Sequence, residues 1–414
     1  MRILQLEIEN VGPFDAASLE FLRPDEVEVG GVTLLTGRNG SGKTILLDAI
    51  RAFFGPHYCE LERDIRRANT RSRITVTHTF GDDDALSVRR DGASPHHHNP
   101  YFYSGAPAYA LPHAVKMGVR RPPGWVVDFW RSQLAVDAHA IQHLGTIDHR
   151  ALYAGSLQGT LRNAAITELL CHFDYLRDSR APREKATGEA LYALAERIIK
   201  FSLLDGEFVG VERLTFRARV RQGGHEVPLA NVSGGNAYLV QRLIALLGRM
   251  YSLHVLRESD PATLHATPGL LLIDEAENHL HPLWQKRLIP GIRSIFPGLQ
   301  IVAATHSPFV LASVPDARVY VCHYDADRQR CTVSEETAAY QNKPVDEILA
   351  SPAFDETLPF GEEISGLLQR RKEAIAHGDQ ATRRQVEAEL LHRNPTYFAH
   401  FEIDHQLEAL RRAS

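Results

Sequence analysis

The stretch "VTLLTGRNGSGKTILLDAIRAFFGP", residues 32–56, decides the fold. It runs from an apolar strand through a glycine-rich loop into a helix that Gly-Pro closes. Its loop matches the pattern G-x-x-x-x-G-K-[ST] in the strand–loop–helix context that this motif requires, through Gly37, Gly42, Lys43 and Thr44. The segment therefore predicts a phosphate-binding loop, or Walker A motif, in an α/β protein.

The loop residues have expected roles in binding ATP and Mg²⁺. Lys43 would reach the β- and γ-phosphates, and the Thr44 hydroxyl would hold Mg²⁺. Backbone N–H groups and the helix dipole would hold the phosphates, which makes the binding residues Gly37, Asn39, Gly40, Ser41, Gly42, Lys43 and Thr44. The alternative is a flexible turn that matches by chance, and the flanking strand and helix disfavour it.

A second buried strand supplies two acids. The segment "PGLLLIDEAENHLHP", residues 268–282, is a continuous apolar run, as expected of a central parallel strand, and it ends in Asp274 and Glu275. We expect Asp274 to support the Mg²⁺ shell and Glu275 to orient or deprotonate the attacking water. A capped surface turn is the alternative that the apolar run disfavours.

A third apolar strand lies in "LQIVAATHSPFVL", residues 299–311, and ends at His306, where Pro308 blocks its extension. An imidazole at this strand end could sense the terminal phosphate of ATP as a catalytic group. The same histidine could instead have a purely structural role.

The segment "NVSGGN", residues 231–236, places two glycines at the start of a helix-forming sequence, where glycine is costly. Together with the three motifs above, it makes the chain resemble an ABC-type ATPase head, whose signature loop has the usual form LSGGQ. Val232 and Asn236 depart from that form conservatively. In the family, the residues corresponding to Ser233, Gly234 and Gly235 face ATP bound to the opposite subunit. The resemblance implies a homodimer, or a higher oligomer, with composite ATP sites.

The spacing of the motifs selects a branch of this family. Lys43 and Ser233 are 190 residues apart, which is long for a transporter ATPase and short for an SMC protein with its coiled coil. The chain is similar to RecF-like and OLD-like ATPases, and most of all to stand-alone antiphage ATPases of the Septu/retron-associated PtuA group. The resemblance covers residues 1–60 and 205–325. Gln133 and Gln142 are both candidates for the family's Q-loop glutamine.

The motifs predict a division of the chain into four parts. Residues 1–149 would form the first ATPase lobe, with antiparallel strands in "RSRITVTHTF" and "LSVRR", and residues 206–330 the second lobe. Residues 150–205 contain two helical patterns separated by the polar "SRAPREKATG" and predict a helical insert. Residues 331–414 predict a C-terminal helical, partner-docking region, with breaks at Gly378-Asp379 and Asn394-Pro395.

Composition limits the remaining function classes. The 414 residues carry a net charge of −5, which does not suit a general polyanion-coating protein. No apolar run is long enough to span a membrane and no signal peptide is evident, so we expect a cytoplasmic protein without membrane contact. The four scattered cysteines indicate neither a disulfide framework nor a zinc site. His96, His97 and His98 are consecutive, which favours an exposed loop over a metal site.

A cluster of arginines is the one candidate surface for nucleic acid. It could contact DNA or RNA phosphates, or simply form a solvated face alongside Glu62 and Asp64; its members are Arg63, Arg66, Arg67, Arg71 and Arg73.

The C-terminal part lacks the features of a nuclease. A Toprim domain would need a lone glutamate and a metal-binding D-x-D pair, whereas Asp325 and Asp327 look like a hairpin turn. We therefore expect an ATPase that cuts nothing alone and controls a separate effector, which the resemblance implies is an HNH-type nuclease. The alternatives are a RecF-like DNA repair ATPase, a transporter ATPase subunit and a non-hydrolysing scaffold; the intact Asp274–Glu275 pair argues against the last.

Overall fold

The structure is a computed structural model, and part of the chain is described. The described residues are 2–22, 31–54, 72–79, 85–90, 101–104, 122–131, 141, 143–159, 162–204, 206–354 and 360–403. The chain divides into two compact units, Met1–Ile348 and Leu349–Ser414.

Fourteen strands occur in the described residues. They are β1 Ile3–Val11, β2 Phe14–Glu20, β3 Val32–Gly37, β4 Ser72–His78, β5 Ala85–Arg90, β6 Tyr101–Ser104, β7 Val126–Trp130, β8 Glu207–Glu212, β9 Arg217–Gln222, β10 His225–Pro228, β11 Gly269–Ile273, β12 Leu299–Ala304, β13 Arg318–Asp325 and β14 Arg330–Glu335. Eleven of them form one sheet in the order β6-β5-β4-β1-β2-β14-β13-β3-β12-β11-β7, and β10-β9-β8 form a second sheet.

The described residues also contain α-helices, which alternate with the later strands along the chain. They are α1 Lys43–Phe54, α2 His149–Ala154, α3 Asn163–Arg177, α4 Pro182–Ser202, α5 Gly234–Arg257, α6 Pro282–Ile295, α7 Pro308–Leu311, α8 Thr337–Tyr340, α9 Val345–Leu349, α10 Glu362–Ala376, α11 Gln380–Arg393 and α12 Pro395–Phe398. This mixture confirms the predicted α/β P-loop ATPase fold with C-terminal helices.

The centre of the large sheet is parallel and buried. Strands β13, β3, β12, β11 and β7 pair in parallel, in that order. Every residue of β3, β7, β11 and β12 is buried, which agrees with the mainly apolar sequences of these strands and includes the polar Asp128 and Gln300. Because parallel strands end at the same edge of a sheet, the loops after β3, β11 and β12 meet there.

Two antiparallel pairs of the large sheet confirm two predicted hairpins. Strands β4 and β5 are antiparallel, with Ser72 opposite Arg90, as the alternating sequences predict. Strands β13 and β14 are also antiparallel, and Asp325 pairs with Arg330 at their turn. Asp327 lies inside this turn and donates its backbone N–H to an Asp325 carboxylate oxygen. The D-x-D sequence is thus a turn, as expected.

The helical insert confirms the two predicted helices but shifts one boundary. We expected the polar segment "SRAPREKATG" to separate them, whereas α4 begins inside it at Pro182. Proline fits the first position of a helix, since its fixed φ is helical and its missing N–H is not needed there. Arg177, at the end of α3, stacks on the Tyr192 ring of α4 at 3.9 Å, which joins the two helices.

Helix α5 is fixed to the sheet edge by buried arginines. Arg249 forms an ion pair with Asp128 of β7, and both side chains are buried. Removing one partner of such a pair typically costs about 3–5 kcal/mol, because the other charge stays buried and unpaired. Arg242 donates to the backbone carbonyls of Arg131 at 2.6 Å and Gly159 at 2.9 Å. These contacts position the amino-terminal end of α5 relative to β7.

The second unit has a small core of its own. Its helices α10, α11 and α12 enclose a cluster of apolar side chains, namely Leu367, Val386, Leu390, Phe398 and Phe401. The helices break where the sequence predicts, at Gly378-Asp379 and Asn394-Pro395. Strand β14 belongs to the large sheet, so the part of 331–414 that folds separately begins after residue 348.

Candidate functional site

The glycine-rich loop after β3 wraps tightly around the start of α1. Three of its glycines have positive φ, with values of +129° at Gly37, +78° at Gly40 and +94° at Gly42. At Gly37 a Cβ would lie 2.2 Å from the Cys322 carbonyl oxygen, so a side chain does not fit there. Such a turn aligns backbone N–H groups toward one point, as in an anion-binding nest.

Two observations test whether this loop fits a phosphate. The Ser41 hydroxyl oxygen is buried and has no hydrogen-bond partner among the described residues. The first N–H groups of α1, beginning at Lys43, have no acceptor within their own helix. Unpaired donors around a concave backbone suit the oxygens of a polyphosphate, so the described residues fit the predicted ligand.

Lys43 lies folded over the loop. Its ammonium group donates to the carbonyl oxygens of Gly37 at 2.8 Å and Arg38 at 2.9 Å. Burial lowers its pKa, whereas the nearby charges of Glu277 and Asp274 raise it. The side chain is therefore held near the loop, at the carboxylates that end β11.

Thr44 and Asp274 join the loop to the end of β11. The Thr44 hydroxyl donates to Asp274 Oδ1 at 3.0 Å, across 230 residues of sequence. The Asp274 backbone N–H donates to the Trp130 carbonyl at 2.9 Å, which fixes the turn against β7. A hydroxyl and one carboxylate suit Mg²⁺, which keeps several waters and binds phosphate oxygens. Burial raises the pKa of Asp274 to about 6, and the Thr44 bond partly offsets this rise.

Glu275 is held in an unusual backbone conformation. Its φ is +49°, and the N–H of the next residue, Ala276, donates to the Ala304 carbonyl at 2.9 Å. The Asn278 side-chain amide donates to Glu275 Oε2. Asn278 therefore orients the predicted water-activating carboxylate. Sequence reasoning missed Asn278, although its position three residues after Glu275 in a turn is compatible with such a contact.

His306 follows β12 and lies at the same edge of the sheet. Its backbone N–H donates to Glu277 Oε1 at 2.7 Å. Desolvation lowers the pKa of the His306 imidazole, and the nearby Lys43 charge lowers it further. The structure therefore brings together the predicted residues of three motifs in one cluster, namely Lys43, Thr44, Asp274, Glu275 and His306. Glu277 belongs to the same cluster and was not predicted.

The signature residues lie apart from this cluster. Ser233 is exposed at the N-cap of α5, and its side chain makes no capping bond. A Cβ on Gly234 would meet nothing within 4 Å, whereas one on Gly235 would lie 2.5 Å from the His279 carbonyl oxygen. In the described residues, no hydrogen bond or ion pair joins Ser233, Gly234 or Gly235 to the cluster.

Other predicted residues fall largely outside the described part. Gln133, Gln142 and the histidines 96–98 lie outside the described residues, as do Arg63, Arg66, Arg67 and Arg71. Arg73 lies on β4, about half exposed, and forms an ion pair with Glu9 at 3.8 Å. Contact with DNA or RNA therefore stays a prediction. None of the helices in the described part of the chain is long and apolar enough to cross a membrane.

Comparisons with known proteins agree with this site. The profile described as "AAA domain, putative AbiEii toxin, Type IV TA system" matches residues 136–312, and an "AAA domain" profile matches residues 5–99. A relative named "Retron Vc95 probable ATPase", from Vibrio cholerae, is 26% identical over 42% of this chain and 33% of its own length. The matched parts of the chain are therefore similar to AAA-type ATPase domains. Septu and retron ATPases are among its homologues.

One more relative and one solved structure are similar to this chain. A Bacillus thuringiensis relative named "Septu protein PtuA" is 38% identical over 22% of this chain and 23% of its own length. The SMC head domain from Thermotoga maritima covers 81% of this chain and 99% of its own, with 15% identity and a TM-score of 0.44. The matched segments of the Vibrio and Bacillus thuringiensis relatives thus span a third or less of each relative's length.

The raised pKa of Asp274 predicts that Mg²⁺ binding depends on pH. Mg²⁺ needs the carboxylate, so its affinity for the ATP-loaded protein should rise with pH up to about 6 and then level off. Below that pH we expect a loss of up to about tenfold per unit. Titration of Mg²⁺ against intrinsic fluorescence at several pH values measures this.

Asp274→Asn is the matched control, because it retains the shape and cannot titrate. Its pH dependence reports the protonation of ATP and of the other groups at the site, such as His306, and subtracting it isolates Asp274. Identical pH slopes in the wild type and Asp274→Asn would contradict the assignment.

Proposed function

We propose that the chain is an ATP-hydrolysing dimeric switch of an antiphage defence system, which controls a separate effector nuclease. One observation carries the proposal: the loop after β3 and the ends of β11 and β12 converge, so that Thr44 contacts Asp274 directly. The cluster combines a phosphate-binding loop, the proposed metal-binding pair Thr44 and Asp274, and the Glu275 carboxylate, which can activate water.

Each residue of the cluster has a distinct part in hydrolysis. The loop amides and Lys43 bind the β- and γ-phosphates, and Thr44 with Asp274 would hold Mg²⁺. A metal ion held by Thr44 and Asp274 would supply positive charge that stabilises the negative charge developing during phosphoryl transfer. Glu275 accepts a proton from the attacking water while the water oxygen bonds to the γ-phosphorus. The bond between that phosphorus and the leaving oxygen of ADP breaks in the same step. His306 would contact the γ-phosphate as a sensor of the bound nucleotide.

The exposed signature loop supports a composite site. Ser233 has an unused hydroxyl at the N-cap, and the backbone at Gly234 is open. A helix N-terminus of this kind is suited to an anion supplied from outside the subunit. We infer that Ser233, Gly234 and Gly235 of one subunit complete the ATP site of the other, in a homodimer that closes on nucleotide.

The defence role rests on the names of the relatives. A retron ATPase and a Septu PtuA protein match 42% and 22% of this chain, and the chain has further helices beyond the ATP site. Helices α10 to α12 form a separate small unit with its own core. We infer that this unit, and secondly the insert of 150–205, holds an effector such as an HNH-type nuclease.

Glu275→Gln should separate ATP binding from hydrolysis. It removes the proton acceptor and keeps the shape, so turnover should fall by about 10²-fold or more while ATP affinity is retained. Lys43→Ala should weaken ATP binding itself, because it deletes the charge that faces the phosphates. Phosphate release and binding of a fluorescent ATP analogue measure these effects. An undiminished rate in Glu275→Gln would remove Glu275 from its assigned role.

Mixing two inactive variants should restore one composite site. Ser233→Arg places a bulky side chain at the exposed N-cap, so ATP-dependent dimerisation and hydrolysis should fail while folding survives. Mixed with Lys43→Ala, it should form heterodimers in which one site has both an intact loop and an intact signature. We expect about a quarter of wild-type activity in an equimolar mixture, since half of the dimers carry one of two sites. No recovery after verified subunit exchange would contradict a site shared between subunits.

Deleting residues 360–414 should leave basal ATP hydrolysis largely intact and abolish co-purification with the product of the adjacent gene. Point variants refine this test, because Ile375 and Ile403 in the second unit are 48% and 58% exposed, and Tyr175 in the insert is 66% exposed. Ile375→Asp with Ile403→Asp should weaken effector binding more than Tyr175→Asp. Retention of the effector by the truncated chain, or DNA cleavage by the full chain alone, would contradict this docking proposal.

A further inference from the structure

Glu277 joins two loops that end neighbouring strands. Its Oε1 accepts the backbone N–H of His306 at 2.7 Å, and its Oε2 accepts the Thr305 hydroxyl at 2.7 Å. Both carboxylate oxygens of Glu277 are therefore engaged by the loop after β12. Glu277 itself lies in the turn after β11, three residues beyond Asp274.

These contacts distinguish Glu277 from a catalytic base. Glu275 has one oxygen held by Asn278, and its Oε1 has no hydrogen-bond partner among the described residues. A carboxylate oxygen without a protein donor is the more available one for binding and deprotonating a water, whereas each oxygen of Glu277 already accepts a hydrogen bond from the protein, which lowers its basicity. Glu277 is thus arranged to hold neighbouring groups.

The loop that Glu277 contacts is fixed at its other end as well. Ser307 donates its backbone N–H to the Thr305 hydroxyl at 3.0 Å, and its own hydroxyl donates to Gln285 Oε1. Gln285 in turn donates to the Leu280 carbonyl at 2.8 Å. The segment after β11 thereby holds both flanks of His306, and Thr305 and Ser307 are buried.

The imidazole of His306 has no comparable support. Within the described part of the chain, neither ring nitrogen forms a hydrogen bond, and the side chain is only partly buried. The backbone of residue 306, whose N–H is fixed by Glu277, therefore determines the position of the Cβ atom from which the ring extends. Loss of that bond would leave the ring without a defined orientation.

We propose that Glu277 is a positioning residue, which fixes the backbone of His306 and so directs its imidazole into the ATP site. This proposal rests on the proposed ATP hydrolysis at the same site. The charge of Glu277 favours protonation of both Lys43 and His306, so the residue also adds negative potential beside them.

Amide hydrogen exchange tests the contact without any need for catalysis. In Glu277→Ala the His306 N–H loses its acceptor, so exchange in the segment 305–307 should accelerate by about tenfold or more. Glu277→Gln keeps one acceptor oxygen and should give an intermediate rate. Unchanged exchange in both variants would overturn the proposal.

Measurements of ATP hydrolysis in the wild-type and His306→Ala backgrounds then distinguish a positioning role of Glu277 from general structural support. Glu277→Ala should lower kcat by about tenfold or more, with the ATP dissociation constant changed less than about threefold. In a His306→Ala background the same substitution should lower kcat no further, because the side chain that Glu277 positions is gone. Glu277→Gln should recover part of the rate.

Glu336 provides a matched control. It is a partly buried glutamate directly after β14, which accepts a hydrogen bond from Ser334 at 2.8 Å and donates its backbone N–H to the Val319 carbonyl of β13. Glu336→Gln should leave kcat unchanged. An equal loss of kcat from Glu277→Ala with and without His306, or an unchanged kcat, would overturn the positioning role. A wild-type chain that failed to hydrolyse ATP would refute the proposed function, and the exchange measurement would still decide whether Glu277 fixes the loop.

Discussion

The hydrogen bond between Thr44 and Asp274 is the contact on which the site depends. It exists because β3, β12 and β11 are adjacent, parallel and buried, so that loops separated by 230 residues end at one edge. The apolar strands stabilise the sheet, and the residues that follow their ends form the candidate ATP site. Lys43, Glu275 and His306 reach the same place because each follows one of these strands.

The absence of a side chain has a different physical reason at each of the two signature glycines. Gly235 is needed within the subunit, since any side chain would collide with the His279 carbonyl in the turn that follows Asp274. Gly234 faces open space, so nothing inside the subunit explains the absence of a side chain there. One glycine lets α5 pack against the turn, and the other leaves the backbone accessible. This division agrees with a helix end that serves a second subunit.

Local sequence patterns predicted the strands, loops and acids of the site, because each depends on residues close together in the chain. The glycine loop, the apolar run before Asp274 and the strand before His306 all belong to this class. The start of α4 at Pro182 was missed, since the polar composition of that segment outweighed a single proline. The roles of Glu277 and Asn278 could not be predicted. Both depend on the conformation of a turn and, for Glu277, on a partner about thirty residues away.

The central claim, that two subunits share each ATP site, is tested most directly by site-specific cross-linking. One population carries Ser233→Cys and another Asn39→Cys, both exposed positions, in a Glu275→Gln chain whose native cysteines are replaced by alanine. A short bismaleimide should then yield a cross-linked pair of twice the chain mass with ATP and Mg²⁺, and little without nucleotide. Absence of a cross-linked pair with ATP and Mg²⁺, or a cross-link that forms equally well without nucleotide, would contradict the account.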